Sequence, residues 1–324
     1  MRRARDALLA ALLWLGAAHA GALAGGYPDH PIRLVVPGDP GGPTDVLARV
    51  VADGLGARLG QKLVIEDRAG VGGVLSGEAV VRAAPDGYTL LYANSSVLAI
   101  NPALYPTMSY DPATALAPIT WVSLAPMILV VNPKFPVHSI AELVRWGADH
   151  PGALSFGSSG VGALPHLTYA LFRSATGLDS VHVPYNGGGK SLAAVVAGEV
   201  PVTFEVISIV RPRVKAGELR AIACAGPTRA PELPDVPTVA ESGYPDVISV
   251  SWTGLVAPAG TPPEIVARLG AETNALLATP AFRARFEALG VQVKGGTPDE
   301  FRAWAATERA RWTRVVRLSG AKPN

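Results

Sequence analysis

Apolar positions along this chain alternate between two periods, and the alternation predicts its elements. Residues 32–36 form a short β-rich run. After it Leu47, Val51, Leu55 and Leu59 recur every four residues, with Val46 and Val50 beside them, which predicts a helix with one buried face. Residues 62–66 read as the next strand, 69–84 as a Gly-rich turn and helix, and 88–93 as a third strand. That β-α-β-α-β order predicts a parallel sheet with right-handed crossovers. Residues 127–133 read as a strand crossing into a second lobe. There, 139–150 predict a helix capped by Ser139. Strands at 180–185, 200–206 and 219–226, and a helix at 189–199, complete a second α/β lobe. Residues 247–258 read as the return crossing, followed by amphipathic helices at 263–277, 281–289 and 298–318. The expected fold is α/β, with two lobes joined by a two-strand hinge. Lobe 1 is discontinuous, 27–127 plus 250–324, and lobe 2 is 128–249.

A chain of 324 residues, 49% hydrophobic and only 17% charged, supports two lobes with large cores. Residues 1–24 read as a signal peptide: Arg2, Arg3 and Arg5 precede an apolar stretch at 7–18, and cleavage is expected after Ala20 or Ala24. No later stretch is apolar enough to span a membrane, so no direct membrane insertion is expected and the periplasm is the expected location. Residues 1–20 carry three Arg against one Asp, so their removal takes the formal charge from +2 to 0. A neutral protein has no footprint for nucleic acid. Cys224 is the sole cysteine, which excludes an internal disulfide. The six histidines show no ligand spacing, so neither metal nor cofactor is expected, and the protein is expected to be a monomer.

Two segments share one design. Residues 32–55 and 153–172 each run from a β-rich stretch through a Gly/Pro/Ser turn into an amphipathic helix. Such a turn aims unpaired N–H groups at a point where the helix dipole favours an anion. In the first, Gly41 and Gly42 permit close backbone approach, Pro43 suits the first helical position, Thr44 offers a hydroxyl, and Asp45 complements the dipole. In the second, Ser158 and Ser159 supply hydroxyls, Gly160 and Gly162 allow a nest of N–H groups, and His166 is either a cleft residue or a cap. The two turns are expected to face each other with their N–H groups converging. Residues 183–191 contain Gly-Lys-Ser, but Pro184 stands where a P-loop needs its first Gly; what remains is a turn with the Tyr185 hydroxyl as a donor. The run at 157–162 is not G-x-S-x-G, because Val161 takes the place of its last Gly.

These residues carry a resemblance to a family. The runs 41–49, 84–96, 101–112, 156–167, 181–189, 233–245 and 254–262, with Glu308, Arg311 and Trp312, are similar to the Bug family, the solute receptors of tripartite tricarboxylate transporters. The resemblance covers nearly the whole chain after the signal peptide. It implies a non-enzymatic periplasmic binding protein that closes its lobes around a small organic acid and hands it to membrane transporter subunits. It implies ligand contacts from both turns, from Ser95 and Ser96 after the third strand, and from Glu205, where the family often has an acid. The chain departs from the family at Gly38 and Asp39, where an aromatic is usual after the first Pro, and at Asp67 and Ala69. Asp39 is expected to point away and cap its turn; the alternative is a ligand cation that pairs with it. A sensor component that presents ligand to a signalling receptor, and a secreted hydrolase using Ser158 or Ser159 with His166, are the rival readings.

Overall fold

The computed structural model describes residues 26–322; the signal-peptide expectation lies outside them. Strand β1 (Ile32–Pro37) is followed by α1 (Pro43–Leu59), β2 (Leu63–Arg68), α2 (Val74–Val81) and β3 (Thr89–Asn94). β1 lies parallel to both β2 and β3, the arrangement that βαβ crossovers require. Leu47, Val50, Val51, Leu55 and Leu59 of α1 are buried as expected, whereas Val46, expected on the same face, is 38% exposed. Alternation on β1 and β3 sends Leu34, Val36, Leu90 and Tyr92 to one core, and Val35 and Leu91 to the other.

A wide turn at Ser96–Ile100 then runs into α3 (Asn101–Leu104), and α4 (Pro112–Ala115) leads to β4. β4 spans Leu116–Val131, so the crossing strand begins eleven residues before its predicted start. Pro118 and Pro126 interrupt its pattern, and the register against β9 slips between Pro118 and Thr120. A bulge is where a strand tolerates proline, which explains why sequence pattern missed this half.

The rest follows as α5 (Ile140–Asp149), β5 (Ser155–Ser158), α6 (Leu164–Thr176), β6 (Val181–Pro184), α7 (Gly188–Ala197), β7 (Val202–Val206), α8 (Ile207–Lys215) and β8 (Arg220–Cys224). The chain returns through β9 (Val250–Pro258) and ends with α9 (Pro263–Leu277), α10 (Pro280–Ala288), β10 (Gln292–Val293) and α11 (Pro298–Ser319). Helix α8 was not predicted; Pro212 lies inside it and masks the pattern. Ser139 caps α5 as expected, accepting from the Glu142 N–H at 3.1 Å.

The strand order is β2-β1-β3-β9-β4-β7-β5-β6, with β8 and β10 also paired to β4. Up to Pro126, β4 pairs with β9; from Met127 it pairs with β7 and β8. The chain thus crosses between the two halves at 126–127 and again at 249–250. The crossings lie side by side: the Met127 N–H donates to the Ser249 carbonyl at 3.2 Å. Helix α11 packs on β4 and α3 of one half and on α6 of the other. Its hold is polar at the centre: buried Glu308 accepts from the indole N–H of Trp252 at 3.1 Å and of Trp312 at 3.0 Å. Arg311 pairs with Glu308 at 3.0 Å and donates to the Ile248 carbonyl.

Candidate functional site

The first turn follows β1. Gly42 is the N-cap of α1 and Pro43 its first residue, so no donor is lost there. Gly41 adopts φ 77°, which glycine takes without strain. The Gly41 N–H donates to Asp45 Oδ2 at 2.7 Å, and the Gly42 N–H to the Asp39 carbonyl at 3.0 Å. Both glycine donors are therefore committed to the turn itself, a correction to the expectation that they converge on a ligand. The N–H groups of Thr44 and Asp45 have no acceptor among the described residues and stay free at the helix start. Asp45 is 2% exposed; it braces the turn rather than facing out. Burial pushes its carboxyl up, but Arg49 at 2.9 Å and the Gly41 N–H outweigh that and hold it below its ordinary value. Arg49 also bonds Asp67 at 3.2 Å, whose carboxyl burial and the Asp45 charge push up. Asp39 is exposed, and its carbonyl rather than its carboxylate closes the turn. Side-chain capping by Asp39 is thereby corrected, because Asp45 already occupies the Gly41 donor. Gly38, at φ 136°, donates to the Arg68 carbonyl at 3.3 Å, tying this turn to the end of β2.

The turns after β2 and β3 meet the first. A Cβ on Gly73 would lie 2.9 Å from both Pro37 and Val97, so only glycine lets the three turns approach. Asn101 donates to the Gly72 carbonyl at 3.0 Å. Ser95 is buried and Ser96 half-buried at the start of the wide turn.

In the second lobe, Ser158 is fully buried, with its Oγ 2.6 Å from His182 Nε2 and 3.2 Å from the Gly160 nitrogen. His166 accepts the Gly162 N–H on Nδ1 at 3.0 Å, which places its own proton on Nε2. It is a capping histidine. Burial drives both imidazoles down to about 4, so both are neutral at pH 7, and their rings stack at 4.0 Å. A serine–histidine pair thus exists, but it is Ser158 with His182, and its hydroxyl is fully buried and shared with the Gly160 backbone. Ser159 is half-buried and its carbonyl accepts the Gly187 N–H at 3.2 Å. Gly162, at φ 74°, sits against Leu104 so closely that a Cβ would collide with it. Through that contact the second-lobe turn touches α3 of the first lobe.

The third turn of this lobe adjoins the second: the Tyr185 N–H donates to the Ser158 carbonyl at 2.9 Å. The Tyr185 hydroxyl, however, donates to Glu199 at 3.4 Å. Its expected role as a donor at the rim is corrected, because the ring packs over Gly157 and its hydroxyl is engaged by Glu199. Glu205 stands at the end of β7, 3% exposed, with Oε1 lacking a hydrogen-bond partner among the described residues. Burial pushes its carboxyl up to about 8. Its Oε2 lies 2.7 Å from where a Cβ of Gly188 would be, beneath the first turn of α7. His182, Gly188 and Leu104 escaped sequence reasoning, because their roles depend on partners 24, 17 and 58 residues away.

Helix N-termini thus follow the C-terminal ends of β1 in one lobe and of β5, β6 and β7 in the other, which is where open α/β sheets bind ligands. Such a rim attracts an anion through N–H dipoles. A separate apolar cavity of about 440 Å3 lies under α11, lined by Leu98, Val256 and Phe301, away from these turns. No helix of the described residues is long and apolar enough to cross a membrane.

Comparison with known proteins places this geometry. The model of the tripartite tricarboxylate transporter family receptor matches residues 47–320. BugT of Bordetella pertussis is 38% identical over 297 residues, covering 91% of this chain and 91% of that protein. A R. palustris structure with adipate superimposes with a TM-score of 0.85 at 34% identity, over 92% of this chain and all (100%) of that one. MatC from Rhodopseudomonas palustris with bound malate gives 0.81 at 32% identity, over 90% and 100%. The architecture is that of the two-lobed periplasmic binding proteins. The chain belongs to the tripartite tricarboxylate transporter receptor family, alongside the Bug solute-binding proteins.

Proposed function

We propose that the protein is a periplasmic receptor that captures a small organic carboxylate between lobes 27–127 plus 250–324 and 128–249. It delivers that ligand to the membrane subunits of a tripartite tricarboxylate-type transporter. The observation that carries this reading is the pair of strand–turn–helix rims, one per lobe, whose internal donors are consumed in bracing and whose helix N-termini stay open. Relatives with adipate and malate support the ligand class. Neutralisation by dipoles leaves no fully desolvated ion pair to break on release, which suits a carrier. The Pro126–Met127 and Ser249–Val250 crossings serve as the hinge of closure. Calorimetry of the purified protein against adipate, malate and citrate tests the reading. At least one acid is expected to bind with a Kd of about 1 μM or tighter; no heat and no thermal shift with any of the three would sink it.

A further inference from the structure

Beneath the rim, almost every polar side chain is tied to its own turn. Asp45 holds Gly41, Ser158 holds Gly160 and His182, and His166 holds Gly162. Glu205 has no such side-chain tie: it is buried to 3% exposure, and its Oε1, like Asp45 Oδ1 and Asp67 Oδ1 in the first lobe, has no hydrogen-bond partner among the described residues. The carboxyl lies under the N-terminus of α7, in space that exists because Gly188 has no Cβ. That helix start is bonded to the second-lobe turn through the Gly187 N–H and the Ser159 carbonyl, 3.2 Å apart.

We propose that Glu205 acts in recognition as a neutral carboxylic acid, donating its proton to a carboxylate oxygen of the ligand, so that anion and proton are held together. The inference rests on the carboxylate reading above. A buried acid with an unmet oxygen beside a helix N-terminus has two ways to be satisfied: ionise towards the dipole, or keep its proton and donate it to an incoming acceptor. The surroundings select the second. Burial raises its pKa to about 8, outweighing the Val206 N–H. Of the elements around it, α7 carries Lys190, α8 carries Arg211, Arg213 and Lys215, and β8 carries Arg220 and Cys224. None of these charges bears on it. Arg211 is turned to the carbonyls of Glu287 and Ala288, Arg213 to Glu218, and Arg220 to the carbonyls of Pro133, Phe135 and Val137. On β4, Ile128 faces it across the strand pair, and Ile209 of α8 closes the other side. An ionised Glu205 in this setting would confront an anionic ligand with a like charge.

The test is calorimetry with adipate, both of whose carboxylates are ionised at pH 7 and above. In the wild-type protein, affinity should fall about thirtyfold between pH 7 and pH 9.5. Binding at pH 9 should take up close to one proton, read from buffers of different ionisation enthalpy. Glu205→Gln keeps the shape and an N–H donor without a titrating proton. It should bind within about threefold of wild type at pH 7, stay level to pH 9.5 and take up no proton. If wild type binds adipate with an affinity flat across this range, or if the Gln variant falls in parallel with it, the inference is overturned while carboxylate binding stands. If wild type binds no carboxylate at pH 7, the carboxylate reading and this inference fall together. Should the variant not fold, proton uptake by the wild-type protein decides alone.

Discussion

At the scale of single residues, glycines do the work that side chains cannot. Gly188 is the sharpest case. It opens α7 without a left-handed φ, so alanine there would favour the helix by roughly 1 kcal/mol. Yet its Cβ would sit 2.7 Å from Glu205 Oε2. Gly188→Ala should therefore gain nothing in Tm, because displacing Glu205 and Ile209 offsets the helix preference, while weakening adipate binding by about tenfold; a variant that binds normally would show that the Glu205 carboxyl is not confined there. Gly162 is constrained twice, by φ 74° and by Leu104. Gly162→Ala should cost roughly 2 kcal/mol in urea unfolding.

The histidines set a pH limit at the same scale. His166 and His182 are depressed to about 4 from 6.5. Above pH 6.5 both are neutral, folded or unfolded, and their contribution is complete. As pH falls from 6.5 to 4 the unfolded chain takes up protons that the folded one refuses, so stability declines across that window. Thermal unfolding should show the fall, and His166→Gln, which keeps a polar group near Gly162, should flatten it. An identical pH profile in the variant would assign the loss to other groups.

Among elements, α11 is the one whose placement rests on a buried charge. Glu308 accepts from two indoles and from Arg311, and Arg311 in turn reaches the Ile248 carbonyl beside the crossing. Removing the carboxylate strands two N–H donors and a largely buried guanidinium. Glu308→Ala should destabilise by about 3 kcal/mol, and Glu308→Gln, which keeps an acceptor, by less; equal midpoints for the two in urea would contradict this account. The same contact explains why Glu308, Arg311 and Trp312 stand together in the sequence. The helix needs its acid and its arginine three residues apart on one face, and its tryptophan four from the acid.

On the scale of the whole molecule, the proposed capture makes ligand binding and closure one equilibrium. The halves share β4, lie side by side at Met127 and Ser249, touch at Leu104 and Gly162, and are overlaid by α11. A ligand gripped by both rims favours the closed form by its differential affinity alone. With adipate at about 100 times its Kd, stability should rise by about 2.7 kcal/mol, and the radius of gyration from solution scattering should shrink. A thermal shift without compaction would place the ligand on one lobe only.

What the sequence by itself determined is local. Periodicity located the strands of the parallel β2-β1-β3 unit, the capped helix α5 and the three C-terminal helices. The Gly/Pro/Ser runs located both rims. These follow from short-range rules, because a buried face or a turn writes its pattern within a dozen residues. The resemblance over residues 41–312 pointed to the family that the comparisons then showed. Tertiary structure alone decided which donors remain free. Gly41 and Gly42 lose theirs to Asp45 and Asp39, Tyr185 turns to Glu199, and His182 takes the place beside Ser158 that only the rival hydrolase reading gave to His166. It also decided that Glu205 is buried, which pushes its carboxyl up. Hydrogen bonds and burial are settled by partners far apart along the chain, and a carboxyl has no charge state until its surroundings are in place.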